Sequence, residues 1–112
     1  MADILSPARA ASPYHDRFLR YFGKGNSLFS VLFDEAVPPD RLDAFVDSLL
    51  LFRIAESWGG HVSLVLPVHP PHRKPESLPK GRLLRFHAGL EEVGDLIEDL
   101  RQASRGAALV DP

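Results

Sequence analysis

The stretch that decides the fold of this chain runs from residue 81 to residue 92 and reads Gly81-Arg82-Leu83-Leu84-Arg85-Phe86-His87-Ala88-Gly89-Leu90-Glu91-Glu92. Its apolar pattern predicts a strand over Leu83–His87 that turns at Ala88 and Gly89 into an amphipathic helix. Side chains alternate between the two faces of a strand. Leu84 and Phe86 therefore point one way, and Leu83, Arg85 and His87 point the other way. If helices cover the Leu84 side, Arg85 stands on the open face of a sheet.

The position of Arg85 makes it a candidate binding residue. A cation in the middle of a sheet face needs either an anionic partner or water. The planar fork of arginine suits a carboxylate or a phosphate. Taken alone, the strand favours the plainer interpretation of a solvated arginine, because arginine is mostly an exposed residue.

Length and composition narrow the class of protein. A chain of 112 residues forms one domain with a modest core, and its apolar fraction of 45% is that of an ordinary globular protein. The net charge is −2 and there is no basic block, so nucleic acid and an anionic membrane are poor partners. There is no cysteine, no secretory signal pattern and no apolar run long enough to span a membrane. We expect a cytoplasmic protein.

The remaining pattern predicts two helices and three further strands. Residues 1–13 read as a loose lead-in, 14–104 as a single α+β domain and 105–112 as a tail. The predicted strands are Ser27–Phe33, Leu51–Ala55 and Val62–Leu66, and the proline-rich residues 67–80 are expected to form a loop. A helix beginning at the pair Pro38-Pro39 presents one apolar stripe, formed by Leu42, Phe45, Val46, Leu49 and Leu50. The closing helix presents another, formed by Leu90, Val93, Leu96, Ile97 and Leu100.

The order β-α-β-β-β-α predicts an α+β fold, with a four-stranded antiparallel or mixed sheet and both helices on one face. The open face would carry Arg53, Val65, Leu83, Arg85 and His87. That face is partly apolar, which indicates a contact surface for another domain or subunit. Asp95, Glu98 and Asp99 are expected on the solvated side of the last helix.

Two histidine patterns carry little functional signal. His69 and His72 are spaced as a metal pair could be, but no third ligand is near them in the sequence, so we expect no metal site. Elsewhere, the aromatic residues over 14–22 predict a short helix. The loop Gly23-Lys24-Gly25-Asn26 that follows it lacks the spacing of a phosphate-binding motif. His87 is expected to be a hydrogen-bonded interface histidine rather than a catalytic base.

Three segments together carry a family resemblance: Ser27-Leu28-Phe29-Ser30, the stretch Leu51–Gly60 with its Glu56-Ser57-Trp58-Gly59-Gly60 end, and Leu83–Ile97. In this order and at these distances they resemble the C-terminal small domain of bacterial cystathionine β-lyase. That enzyme is one of the fold type I PLP-dependent enzymes of Cys/Met metabolism. The resemblance extends from about His15 to Gln102.

The resemblance implies roles for individual residues. Arg85 resembles the family arginine that holds the substrate α-carboxylate in a bidentate pair. Ser57 and Trp58 resemble the residues that contact the same carboxylate and border the substrate pocket, and Trp58 favours the β-lyase branch over γ-synthases and γ-lyases. Glu56, a possible pocket-lining residue, departs from the family, which usually has an aromatic side chain there. No catalytic residue is implied within this chain.

The resemblance also implies partners that this chain does not supply. The complete enzyme would use PLP, act on an amino-acid thioether such as cystathionine, and form a homo-oligomer. The family's PLP lysine belongs to a large domain, and none of Lys24, Lys74 and Lys80 stands in a matching motif. Without a Schiff-base lysine we expect no PLP bound covalently to this chain, and no activity from the chain alone.

Two other classes of function stay open at this level. One is a non-catalytic α+β module that binds a small amino acid through Arg85 or mediates oligomerisation by its open face. The other is a fragment of a related γ-synthase or γ-lyase.

Overall fold

A computed structural model describes residues 3–6, 8–21, 27–57, 59–68 and 81–109. Its elements follow in the order β1 (Asp3–Leu5), α1 (His15–Tyr21), β2 (Leu28–Phe33), α2 (Pro39–Ser48), β3 (Arg53–Ile54), β4 (Leu64–Val68), β5 (Arg82–His87) and α3 (Val93–Gly106). The predicted proline-rich loop falls largely outside these residues, as do the 23–26 loop and the His69 and His72 pair. Within the described residues, no helix is long and apolar enough to cross a bilayer.

The strands form one mixed sheet in the order β1-β2-β5-β4-β3. All neighbouring pairs are antiparallel except β3 and β4, which are parallel. The predicted fold class is confirmed, but the sheet has five strands rather than four. The additional strand is β1, which pairs with β2 from within the predicted loose lead-in. Three residues without apolar periodicity are too short to be recognised as a strand from the sequence.

Helix α2 forms as its sequence predicts. It begins at Pro39, a residue that suits the first turn because the first N–H groups of a helix have no intrahelical partner. Leu42, Phe45, Val46 and Leu49 from its stripe are buried, but Leu50 lies beyond the end of the helix and is 79% exposed, so its assignment to the stripe was wrong. The ring of Phe45 lies 6.0 Å from that of Phe33 on β2, so the helix packs on the sheet.

Strand β5 lies between β2 and β4 at the centre of the sheet, with the predicted alternation. Leu84 is 3% exposed and Phe86 is 2% exposed, and both belong to the core cluster with the helices. The ring of Phe86 stacks on Phe29 and meets Phe52 edge-on, both at a centroid distance of 5.4 Å. Arg85 therefore lies on the opposite, open face, as predicted.

The placement of Val65 on the open face was wrong. Val65 is fully buried in the core and pairs with Phe86, so the two side chains share the helix side. Leu64 and Leu66, its neighbours in β4, take the open face instead. Both faces of this strand are apolar, so the alternation alone did not fix which set points to the helices.

Helix α3 packs against α2 through a side that differs from the predicted stripe. Leu96 is buried, but Leu90, Val93 and Ile97 are 85%, 69% and 48% exposed. Asp99, predicted to be solvated, is only 5% exposed. The helix is thus rotated relative to the prediction, so that a carboxylate rather than a fully apolar stripe faces α2.

Asp99 is buried because it satisfies the backbone beyond the end of α2. Its two carboxylate oxygens accept hydrogen bonds from the N–H groups of Leu50 and Leu51, at 2.9 and 2.8 Å. The side chain of Gln102 adds a bond at 3.0 Å and also donates to the carbonyl of Ser48. Burial alone would raise the pKa of Asp99, but these hydrogen bonds outweigh it and the pKa lies below its usual range.

Candidate functional site

The candidate site lies on the open face of the sheet around Arg85. In the register of the sheet, Ser30 of β2 and Leu66 of β4 flank Arg85 on either side, and all three are half-buried. The guanidinium of Arg85 donates to the backbone carbonyl of Glu56. Within the described part of the chain, no carboxylate lies at ion-pair distance from Arg85. A guanidinium has five N–H donors, so most of the donors of Arg85 stay available to a ligand.

The described residues of the segment Glu56–Gly60 contact β5 at Arg85 and at His87. The segment follows β3, whose Arg53 and Ile54 pair with the start of β4. The side chains of Glu56 and Ser57 are exposed. The structure thus brings the backbone carbonyl of Glu56 to Arg85, and Ser57 is the next residue along the chain. Trp58, the third predicted substrate-binding residue, lies outside the described residues.

His87 connects the same segment to the sheet. Its Nε2 lies 2.7 Å from the carbonyl oxygen of Gly60, and its Nδ1 lies 2.9 Å from Oγ of Ser27. The N–H of Gly59 also donates to Nδ1, at 3.4 Å. His87 is 3% exposed and both of its ring nitrogens have partners. The prediction that His87 is hydrogen-bonded is confirmed, whereas its place at an interface stays a prediction.

A second set of polar contacts fixes the turn between β5 and α3. The hydroxyl and the N–H of Ser63 both donate to the carboxylate of Glu91, and the N–H of Gly89 donates to the Ser63 hydroxyl at 2.8 Å. The side chain of Ser63 and then its N–H hold the pKa of Glu91 below its usual range. A Cβ atom at Gly89 would collide with the carbonyl of His61, so only glycine fits here.

These contacts explain how the site is built. Ser63 is fully buried, and its hydroxyl is satisfied by Glu91 and Gly89. Glu91 follows the strand that carries Arg85, and its bonds to Ser63 fix the end of that strand against β4. Sequence reasoning did not identify Ser63 or Glu91 as parts of this framework. The one signal in the sequence was that Ser63 interrupts an otherwise apolar predicted strand.

The arrangement can bind a small anion beside an apolar surface. The open face around Arg85 carries half-buried aliphatic side chains, namely Leu28, Leu32, Leu64, Leu66, Val68 and Leu83. An apolar cavity of about 310 Å³ lies on the other side of the sheet, between Phe29, Phe86 and Leu100. Because Arg85 points away from that cavity, the cavity is not part of the candidate site.

Comparison with known proteins gives a consistent set of matches. Residues 1–105 match the profile of a family described as Cys/Met metabolism PLP-dependent enzyme. A cystathionine beta-lyase of Haemophilus influenzae is 36% identical over 103 residues, which cover 88% of this chain and 26% of that protein. An L-alanine/L-glutamate racemase of Wolbachia pipientis is 33% identical over 103 residues, which cover 89% of this chain and 26% of that protein.

A solved structure agrees with the fold. A cystathionine gamma synthase of Xanthomonas oryzae, in complex with cystathionine, superposes with a TM-score of 0.76 at 28% identity. The match covers 96% of this chain and 29% of that chain. This chain therefore spans about a quarter of the length of the proteins that it matches.

The residues of the described part do not fit PLP by themselves. A Schiff base needs a lysine amine. The chain's lysines, Lys24, Lys74 and Lys80, all lie outside the described residues. The described residues offer an arginine and backbone groups, which can hold a carboxylate but cannot form the bond that anchors this cofactor. Among the same residues, no group of three or more metal-ligating side chains is clustered.

Proposed function

Because this chain belongs to the PLP-dependent enzyme family of Cys/Met metabolism, we propose that it forms the C-terminal small domain of a carbon–sulfur lyase of the cystathionine β-lyase type. In this role it holds the α-carboxylate of an amino-acid thioether such as cystathionine. The observation that carries the proposal is Arg85. Its side chain is half-buried on the central strand, and its guanidinium donates to the carbonyl of Glu56 and has donors left for a carboxylate.

Each candidate residue has a distinct part in this proposal. Arg85 supplies the bidentate pair that fixes the carboxylate. Ser57 and Trp58 supply further contacts at its border. Glu56, whose side chain is exposed, lines the pocket and adds a negative charge where most relatives have an aromatic ring. We infer that this charge changes which part of the thioether is accepted beyond the carboxylate.

The chemistry itself requires a partner domain. PLP supplies the electron sink in such lyases, and it would be held by a large domain or subunit with the Schiff-base lysine. The aliphatic open face around Arg85 is suited to that contact, because burying it removes apolar area from water. The complete enzyme would be a cytoplasmic homo-oligomer.

A related γ-synthase or γ-lyase is the second candidate. It is supported by the likeness to the γ-synthase structure, whereas Trp58 favours the β-lyase. Products from cystathionine distinguish a β-lyase from a γ-lyase, since β-elimination releases pyruvate and γ-elimination releases 2-oxobutyrate. A γ-synthase would form cystathionine rather than release either product from it. A non-catalytic module that binds an amino acid would release neither product, but would bind the amino acid saturably without a partner domain.

Co-expression with the large domain of a β-lyase relative tests the proposal. The wild-type pair should release pyruvate from cystathionine. Arg85→Ala removes one partner of a buried charge pair, which costs about 2–5 kcal/mol and corresponds to a loss in kcat/KM of roughly 30- to several-thousand-fold. Arg85→Lys keeps the charge but not the fork, so its kcat/KM should lie between wild type and Ala.

Arg53→Ala is the matched control, because Arg53 is an exposed strand arginine on the same sheet. Its kcat/KM should stay near that of the wild type. If Arg53→Ala and Arg85→Ala reduce kcat/KM equally, Arg85 is an ordinary surface residue and the proposal is wrong.

A further inference from the structure

We propose that His87 is a positioning residue that holds the segment Glu56–Gly60 in place beside Arg85. The inference rests on the proposed function, because it concerns the segment that borders the substrate carboxylate. Arg85 and His87 stand two residues apart on the same face of β5, which places them about 7 Å apart along the strand. Arg85 holds the segment at Glu56, and His87 holds it at Gly59 and Gly60.

The hydrogen bonds assign one state to the imidazole. The carbonyl of Gly60 can only accept, so Nε2 of His87 carries the proton. The N–H of Gly59 can only donate, so Nδ1 offers its lone pair, and the hydroxyl of Ser27 donates to the same atom. His87 is therefore the neutral Nε2–H tautomer, and both nitrogens are committed to the protein. This excludes it as a free base and assigns it a holding role.

The segment needs such a support because its two glycines give the backbone a wide choice of conformations. Two consecutive glycines follow Trp58, and Gly59 adopts a φ of +85° with no heavy atom within 4 Å of the place where a Cβ would be. Glycine loses more conformational freedom on ordering than any other residue. Without the bonds of His87, the backbone between the bonded residues Ala55 and His61 would be held only at the Glu56 carbonyl, as far as the described residues go. Ser57 would then not stay aligned with the carboxylate held by Arg85.

The loss of this support should appear in substrate binding. When the residues that position a substrate shift by up to about 1 Å, kcat/KM can fall by up to about 100-fold. In the co-expressed enzyme, His87→Phe should raise KM about 10- to 100-fold, while kcat changes by less than about threefold. His87→Gln can still donate to the Gly60 carbonyl from a similar distance along the side chain, and should recover part of the loss in KM.

Val46→Ala is the control for stability. Val46 is buried in α2, on the helix side of the sheet and away from the segment. It should lower the free energy of unfolding but leave KM near the wild-type value under conditions where the enzyme is folded. A purely structural role of His87 would instead give His87→Phe and Val46→Ala the same kinetic profile, and that result would overturn the inference.

Two measurements on the 112-residue chain are independent of catalysis. Nitrogen NMR of the imidazole should find Nε2 protonated and Nδ1 unprotonated in the wild type. Amide hydrogen exchange at Gly59 should become at least about tenfold faster in His87→Phe, with exchange in β2 unchanged. The opposite tautomer, or unchanged exchange at Gly59, would refute the holding role.

These experiments can show that the proposed function fails while the inference about His87 holds, or the reverse. If Arg85→Ala has no effect on catalysis but Gly59 exchange responds to His87→Phe, the proposed function fails and the holding of the segment stands. If Arg85→Ala abolishes activity and His87→Phe leaves both KM and Gly59 exchange unchanged, the function stands and the inference about His87 fails.

Discussion

The buried carboxylate of Asp99 gives the sharpest prediction for a single residue. Removing an ionised acceptor that bonds to the N–H groups of Leu50 and Leu51 should lower the free energy of unfolding by about 1.5–3 kcal/mol in Asp99→Ala. Asp99→Asn keeps one acceptor oxygen and should lower it less. Urea unfolding followed by far-ultraviolet circular dichroism measures both variants.

Asp43 provides the matched control for Asp99. It is an exposed aspartate on α2, so Asp43→Ala should change the free energy of unfolding by no more than about 0.5 kcal/mol. Equal losses in the two alanine variants would mean that Asp99 is solvated, as the sequence pattern alone had suggested.

Two carboxylates, those of Asp99 and Glu91, make the stability of the folded chain depend on pH. Asp99 and Glu91 both have lowered pKa values in the folded chain, against ordinary values of 3.8 and 4.5. A lowered folded pKa contributes stability that is complete above the unfolded pKa and is lost as pH falls through the folded pKa. The free energy of unfolding should therefore decline below about pH 4.5. In a double variant with Asp99→Asn and Glu91→Gln, urea midpoints measured from pH 6 to pH 3 should decline less steeply.

At the scale of elements, the register of β5 determines where Arg85 stands. Phe86 is in the core, so Phe86→Ala should cost about 3–5 kcal/mol. Leu83 lies half-buried on the open face, and Leu83→Ala should cost clearly less in the 112-residue chain. Chemical denaturation measures both losses. Equal losses would mean that the strand is shifted by one residue and that Arg85 faces the helices.

Elements with one-sided patterns could be predicted from the sequence. Helix α2 has a proline start and an apolar stripe at helical spacing, and it begins where the sequence predicts. In β5 the charge of Arg85 marks the outer face, because a lone buried guanidinium would be costly. That charge is why the face of the sheet that carries Arg85 could be predicted before the structure was known.

The missed features depend on contacts between residues far apart in the chain. Val65 was assigned to the wrong face because Leu64 and Leu66 are as apolar as it is. Asp99 bonds to backbone groups 47 to 49 residues away, and Ser63 is buried because Glu91 and Gly89 satisfy its hydroxyl. No local pattern encodes such partners, since a carboxylate or a hydroxyl within an element reads as solvated until its donors or acceptors are known.

At the scale of the whole molecule, the absence of a Schiff-base motif predicts how the chain responds to PLP. Incubation with PLP and borohydride should label Lys24, Lys74 and Lys80 only weakly and without selectivity, because no matching motif surrounds any of them. Peptide mapping by mass spectrometry measures the labelling. Stoichiometric modification of a single lysine would mean that the chain holds the cofactor without a large domain.

The short strand β1 has a consequence for how this protein behaves at high concentration. Its three residues occupy the outer edge of β2, whose sequence Leu-Phe-Ser-Val-Leu-Phe has high β propensity and neither charge nor proline. Such a segment, once its edge is bare, can pair with copies of itself and grow into cross-β aggregates. Deleting residues 2–6 should therefore raise light scattering at concentrations where the intact chain stays clear. Leu32→Lys in the shortened chain should suppress the scattering, because a charge on an exposed edge strand opposes strand addition.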